Sequence, residues 1–364
     1  MEEKKKKTNF IVKLWKEHSY IFVMLIILVG YAITVSAGGA TFRWAHIAAI
    51  LASQQTCVIG TMALGMALIV ITGNIDLSLG SGLVLCTGLS ILTFNTTGSA
   101  PLMFIVAIGS GALCGLLNGI MVGLANMQAF IATLGTMLIY RSIALTIVRT
   151  IPSEVSGSIS SQYAMVAGSP AYDWLRMKFG TGKLTIGEFT LPWITILFLV
   201  LALLIIFLSK KTKLGKAIYA IGSNANASRL AGINVTAVKI LVFVITGVLV
   251  GFASFIQACK IGNVSPASSG TSYEMYAIAA IVLGGINMAG GKGNIVGIIF
   301  GAISYSAINF IIVSIPGLSV DMQNACQGFV LIAVILVQTL GPIFKEKINT
   351  SKKRKAAIAM ENAE

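Results

Sequence analysis

Apolar runs close to twenty residues long follow one another along this chain, separated by short polar interruptions. Ten can be marked: 20–37, 44–72, 78–96, 101–125, 128–149, 191–209, 236–258, 272–289, 294–313 and 321–341. A helix needs about 20 apolar residues to cross the roughly 30 Å of bilayer hydrocarbon. The strands of a membrane barrel would instead alternate polar and apolar positions in units of about ten. The pattern therefore predicts an all-α, polytopic membrane protein of about ten transmembrane helices. Its membrane domain is 20–341, between basic tails at 1–19 and 342–364. The first run is span-length and lacks a cleavage site, so it is expected to stay as a span.

Two polar stretches are longer than turns. The first, 150–190, holds Glu154, Asp173, Arg176, Lys178 and Glu188, with Pro152 and Pro170. It is either a contact surface for a solute-delivering protein or a solvated loop with no partner. The second, 210–235, is a polar island. Ser223 or Asn224 can cap a helix through a side-chain oxygen. Ala225 to Ala231 suits a helix of about two turns. Gly232 fits just beyond its end, and Asn234 can cap the next helix. That island is either an ordinary loop or a docking knob for a cytoplasmic partner.

The chain also carries a weak internal repeat. Ala67–Gly88 and Ile278–Gly301 each pass from an apolar helix through a Gly/Asn break into a small-residue helix. The copies count as five crossings apart, an odd number, which gives them opposite orientation as a weak inverted repeat, a pattern common in transporters. Gly111, Gly115, Gly119 and Gly123 recur every fourth residue, as do Gly293, Gly297 and Gly301. Such a face lets another backbone approach closely, within the subunit or between subunits.

Composition sharpens this picture. The chain is 56% hydrophobic and 10% charged, against about 25% charged in soluble domains. Its net charge of +14 does not point to nucleic acid, because the basic residues stand beside span ends. Lys4 to Lys7, Lys210 to Lys216 and Lys345 to Lys355 form the main groups. Such residues stay on the cytoplasmic side, near anionic lipid. Ten crossings then put both termini and 210–235 in the cytoplasm and 150–190 outside. The five cysteines form no CxxC pair and read as small buried residues rather than disulfides or metal ligands.

Candidate chemistry is sparse. Asp76, in Gly73-Asn-Ile-Asp-Leu-Ser, is costly at membrane depth and must find partners; it either caps the following helix or lines a path. Asn74, Ser78, Asn118, Asn287, Gln323 and Gln327 are further helix-break or path candidates. Gln54, Gln55, Thr133, Asn309 and Asn324 are also polar positions within spans. Neutral amides and hydroxyls suit sugars, whose many hydroxyls carry no charge. The scarcity of buried acids argues against a proton- or sodium-coupled carrier, and neither His18 nor His46 forms a relay. Gly284 to Gly293 is not a phosphate loop, since Lys292 is followed by Gly293. No catalytic constellation is evident. The chain is expected to bind no cofactor or metal and to be no enzyme.

Four stretches carry a family resemblance. "GNIDLSLGS", "GLLNGIMVG" with "FIATLGTMLIYRSIAL", "AIGSNANASRLAGINVTAVK" and "YEMYAIAAIVLGGINMAGGKGNIVGIIFGA" occur in one order over about 45–340. Together they resemble ribose-type permeases of simple-sugar ABC importers, within the branched-chain amino acid/ribose permease superfamily. The resemblance implies a bacterial plasma (inner) membrane protein. It implies cytoplasmic ATP-binding subunits that use the ATP, an extracytoplasmic substrate-binding protein, and a second permease copy or paralogue. It also implies that Ser223, Asn224, Arg229, Leu230 and Gly232 couple to the ATPase; Arg229 reads otherwise as a solvated charge. Gln128-Ala129 before Phe130, and Asp321 with Gln323, depart from the family pattern and leave the solute open. A nucleoside, a furanone-type signal or a branched-chain amino acid are alternatives, as is a secondary carrier or channel.

Overall fold

The computed structural model describes residues 19–336, apart from 159–160, 187–188, 316, 320, 321, 324, 331, 334 and 335. Both basic tails, apart from Ser19, fall outside the described residues, as do His18, Glu188, Asp321 and Asn324 and much of the expected 321–341 span.

Among the described residues, and leaving aside two short helices of the 150–190 segment, twelve α-helices carry the fold: α1 (Ser19–Ala37), α2 (Trp44–Leu51), α3 (Gly60–Ile71), α4 (Leu79–Thr97), α5 (Ala100–Gly119), α6 (Ala129–Thr150), α7 (Trp193–Lys211), α8 (Lys213–Ser223), α9 (Ala225–Leu230), α10 (Val235–Ile261), α11 (Tyr273–Leu283) and α12 (Val296–Val313). Among the described residues, seven helices are long and apolar enough to cross a membrane, and the bent pair of α2 with 55–71, at 47°, brings the number to eight when counted as one span. The expected 272–289 span is not one helix. α11 has 11 residues, about 16 Å of helix, roughly half the hydrocarbon thickness. Glycines in the break that follows, at Gly285, Gly290, Gly291 and Gly293, adopt positive φ and end it.

α3 is the centre of the bundle, with all twelve of its residues buried. α10 packs along α5 through the first glycine stripe. A methyl at Gly115 would overlap the Phe243 carbonyl, and one at Gly111 the Gly247 carbonyl. Methyls at Gly297 and Gly301 would likewise overlap the Gly284 and Ala280 carbonyls of the α11 arm. Both stripes thus serve packing within one subunit.

The structure corrects the internal repeat. Gln54 donates to the Tyr273 hydroxyl, so the starts of the α3 and α11 arms meet. Gly291 N–H donates to the Ile71 carbonyl (2.9 Å), so their ends meet too. The arms run in the same direction, because an even number of crossings, six, separates them. The inverted partner of the first break is the segment after α10. Gly73-Asn74-Ile75 ends α3 and Gly262-Asn263-Val264 ends α10, each with its glycine at φ +81°. The helices that follow, α4 and α11, run in opposite directions and start against each other, where a methyl at Gly80 would overlap the Gly270 carbonyl.

The 150–190 segment is a folded cap. β1 (Tyr163–Ala164) pairs antiparallel with β4 (Asn263–Val264), and β2 (Lys183–Ile186) with β3 (Phe189–Pro192). Arg176 donates to the Cys259 (3.0 Å) and Lys260 (2.7 Å) carbonyls and so caps α10. The Tyr163 phenol donates to the Ala144 carbonyl, and burial pushes its pKa up to about 12. The described residues between Ile315 and Leu336 form a separate unit.

Candidate functional site

The polar island folds locally as its capping residues dictate. Asn224 Oδ1 accepts from Ala227 N–H (2.9 Å) and starts α9; Asn234 Oδ1 does the same for Ala237 N–H (3.0 Å) and α10. Ser223 does not cap α9; its hydroxyl donates to the Tyr219 carbonyl (3.0 Å) at the end of α8. Gly232 takes φ +83° in the turn. Arg229 is exposed, and Leu230 is 91% exposed, so an apolar side chain stands free at the tip.

What lies beneath that tip is not apparent from the island itself. α8 is amphipathic, with Gly215, Ile218 and Ile221 buried and Lys213 and Lys216 exposed. Its end is wedged between the two breaks. A methyl at Gly222 would overlap the Ile71 carbonyl and lie 2.6 Å from Gly291 N. The Tyr219 phenol donates to the Gly293 carbonyl (2.9 Å), and burial holds its pKa above the usual range, so it stays a donor at neutral pH. Ile71, Gly222 and Gly291 therefore form one corner, joining α3, the α8–α9 arm and the loop after α11. The sequence signals that could have found it are the apolar i, i+3 positions of α8 and the glycine at each approach.

A second cluster lies where α4 begins. Asp76 Oδ1 accepts from Ser78 N–H (2.8 Å) and the Ser78 hydroxyl (2.7 Å). Asn118 donates to Ser78 Oγ (2.8 Å) and to Asp76 Oδ2 (3.5 Å), and accepts from Thr136 (2.8 Å). Leu77 N–H donates to Thr133 Oγ1 (3.0 Å). Asp76, Ser78, Asn118, Thr133 and Thr136 are all buried. A cavity of about 10 Å3, room for about one water, opens among Asp76, Ser78, Asn118 and Tyr140. This network ties the α4 start to α5 and α6 and satisfies the carboxylate that the apolar surroundings penalise.

The other candidates lie elsewhere. Asn74 bonds locally to Thr72 Oγ1 (3.0 Å). Asn287 is exposed in the second break, where it accepts from Ala289 N–H (2.9 Å). Gln323, which donates to the Leu318 carbonyl (3.2 Å), and Gln327 belong to the separate C-terminal unit. Among the described residues there is no group of three or more His, Cys, Asp or Glu that could hold a metal.

The family profile described as "Branched-chain amino acid transport system / permease component" matches residues 47–335, a range that includes the corner, both breaks and the Asp76 network. The ribose import permease protein RbsC of Escherichia coli strain K12 is 34% identical over 329 residues, covering 90% of this chain and 96% of that protein. The galactose/methyl galactoside import permease protein MglC of Haemophilus influenzae is 30% identical, covering 90% and 95%. The xylose transport system permease protein XylH of the same species is 30% identical, covering 80% and 88%. No solved structure matches the chain. With most of its length inside the family profile and relatives aligned almost end to end, this multi-pass chain belongs to the branched-chain amino acid transport system / permease component family.

Proposed function

We propose that this chain is the transmembrane permease subunit of a bacterial ATP-driven (ABC) importer for a simple sugar. The observation that carries the mechanism is the corner itself. An ATPase subunit that grips α9 moves α8, and α8 bears directly on the ends of both broken arms through Gly222, Tyr219 and Gly291. Arg229 and Leu230 offer the ATPase a charge and an apolar knob. Two ATP-binding subunits consume the ATP, a second permease copy or paralogue completes the path, and a substrate-binding protein delivers solute to the folded 150–190 cap. Lys210, Lys211, Lys213 and Lys216 support a cytoplasmic α8–α9 and cytoplasmic termini. The solute class rests on the relatives, which are named for ribose, galactose and xylose.

The test is uptake of labelled D-ribose, D-galactose, D-xylose and L-leucine into proteoliposomes, with and without the ATP-binding and solute-binding subunits. Sugar uptake that needs ATP and both partners supports the reading; uptake by the chain alone makes it a carrier. Gly232→Pro is expected to insert normally but uncouple ATP hydrolysis from uptake, since proline cannot adopt φ +83°.

A further inference from the structure

A cluster in the bundle interior is not explained by helix packing. It forms where α11 begins. Gln54 Nε2 donates to Gln257 Oε1 (2.7 Å) and to the Tyr273 hydroxyl, joining the α3, α10 and α11 arms. The Tyr273 ring lies 6.0 Å from that of Tyr276, which stacks on Tyr305 of α12 at 5.3 Å and 30°. Tyr305 is 3% exposed, and its hydroxyl has no hydrogen-bond partner among the described residues. Nearby hydroxyls differ in this respect: Ser53 and Ser306 bond each other at 2.6 Å, and Ser53 also bonds Thr56 at 3.2 Å.

A buried hydroxyl without a partner carries a desolvation cost that folding alone does not recover. Tyrosine at that position needs a reason that phenylalanine, with the same ring, would not meet. A solute hydroxyl supplies it. The remaining groups fit the same solute. Two amides provide donors and acceptors without charge, and stacked phenol faces accept the apolar C–H face of a saturated ring. Tyr273, Tyr276 and Gln54 are only partly buried, so the cluster is not sealed. Its place also fits. Tyr305 is the tenth of the eighteen residues of α12, and Tyr273 opens a half-length helix whose start faces the start of α4, the broken-helix geometry that transporters use near the membrane midplane.

We infer that Gln54, Gln257, Tyr273, Tyr276 and Tyr305 form a solute subsite for a neutral polyhydroxylated ring on its way through the bundle, with the Tyr305 hydroxyl bonding the solute directly. This inference rests on the importer reading above.

Tyr305→Phe separates a ligand role from a packing role. It removes one oxygen and keeps the ring stack with Tyr276. If Tyr305 only packs, the variant matches or exceeds the parent in thermal stability and transports unchanged. If its hydroxyl binds solute, stability holds while the sugar concentration for half-maximal uptake rises about fivefold, the effect of one neutral hydrogen bond. The measurement is sugar-dependent uptake by the complete complex in proteoliposomes, with D-ribose, D-galactose, D-xylose and L-leucine as probes. Gln257→Leu is the second variant, expected to raise the sugar concentration for half-maximal uptake severalfold; an unchanged value would remove Gln257 from the subsite. Parent-like uptake kinetics in Tyr305→Phe, in a complex that transports a sugar, would overturn the subsite and leave the importer reading standing. A parent complex that takes up L-leucine and no sugar would overturn the sugar reading and the neutral-ring class together.

Discussion

Gly222→Ala tests the corner with a single methyl. Gly222 lies at the end of α8, and the added carbon would overlap the Ile71 carbonyl and stand 2.6 Å from Gly291 N. Ordinary contact begins at 3.4 Å, so the end of α8 must withdraw from Gly291 by about 0.8 Å and from the Ile71 carbonyl by more. The obstacle is backbone on both sides, pinned by the 2.9 Å bond from Gly291 N–H to Ile71, so no flexible side chain can give way. Overpacking of this kind costs about 1–3 kcal/mol. A bias of that size shifts a two-state equilibrium by roughly 5- to 150-fold. The methyl acts against whichever state keeps α8 seated, so ATP hydrolysis and uptake should separate. The assay is solute taken up per ATP hydrolysed, measured on the complete complex in proteoliposomes. Gly222→Ala should lower that ratio severalfold while the complex still assembles. Gly135→Ala is the control, since nothing lies within 4 Å of a methyl there. An unchanged ratio in Gly222→Ala would refute the corner as the point where the stroke enters the bundle.

Two further variants probe separate links. Leu230→Asp should leave folding and insertion intact, because the side chain is 91% exposed, yet abolish co-purification of the ATP-binding subunits; retained co-purification would remove Leu230 from the docking surface. Gly115→Leu should lower the melting temperature in detergent, at a cost of about 1–3 kcal/mol or more, because a side chain there meets the Phe243 carbonyl. Gly109→Leu on the same helix should be tolerated, as the space beside it is open.

Much of this architecture is legible in the chain because a bilayer leaves few options. Each apolar run that falls wholly on described residues coincides with a helix, with the break in 44–72 and the short α11 as the departures. Asn224, Gly232 and Asn234 are equally readable, since caps and left-handed turns depend on local backbone geometry alone. The short α11 was not readable: Tyr273–Leu283 and its apolar continuation look like one span, and only the run of positive-φ glycines distinguishes them. α8 was hidden because its lysines match the charge pattern of a span end. The Asp76 network joins residues 42 and 18 positions apart in the chain, a closeness that periodicity does not encode. Tyr305 reads as one more aromatic in an apolar run; its importance depends on a buried hydroxyl with no hydrogen-bond partner among the described residues.

The repeat shows how local likeness can mislead and what decides the matter. Ala67–Gly88 and Ile278–Gly301 look alike because both are apolar helices interrupted by glycine and asparagine. The contacts at both ends of their arms make them parallel. Gly73-Asn74-Ile75 and Gly262-Asn263-Val264 share only three positions, yet they end helices five crossings apart and launch α4 and α11 toward opposite faces. That pairing has a mechanical consequence. α11 runs about 16 Å from the Tyr273 cluster down to the break that meets α8. It is locked to α12 along its lower part by the close approaches of Gly284 to Gly297 and Ala280 to Gly301. A displacement of α8 therefore bears on a short rigid pair whose upper part carries Tyr273, Tyr276 and Tyr305. On this reading the corner and the subsite are two ends of one element, and α11 is half-length because its start must open onto the path while its end rests on the drive.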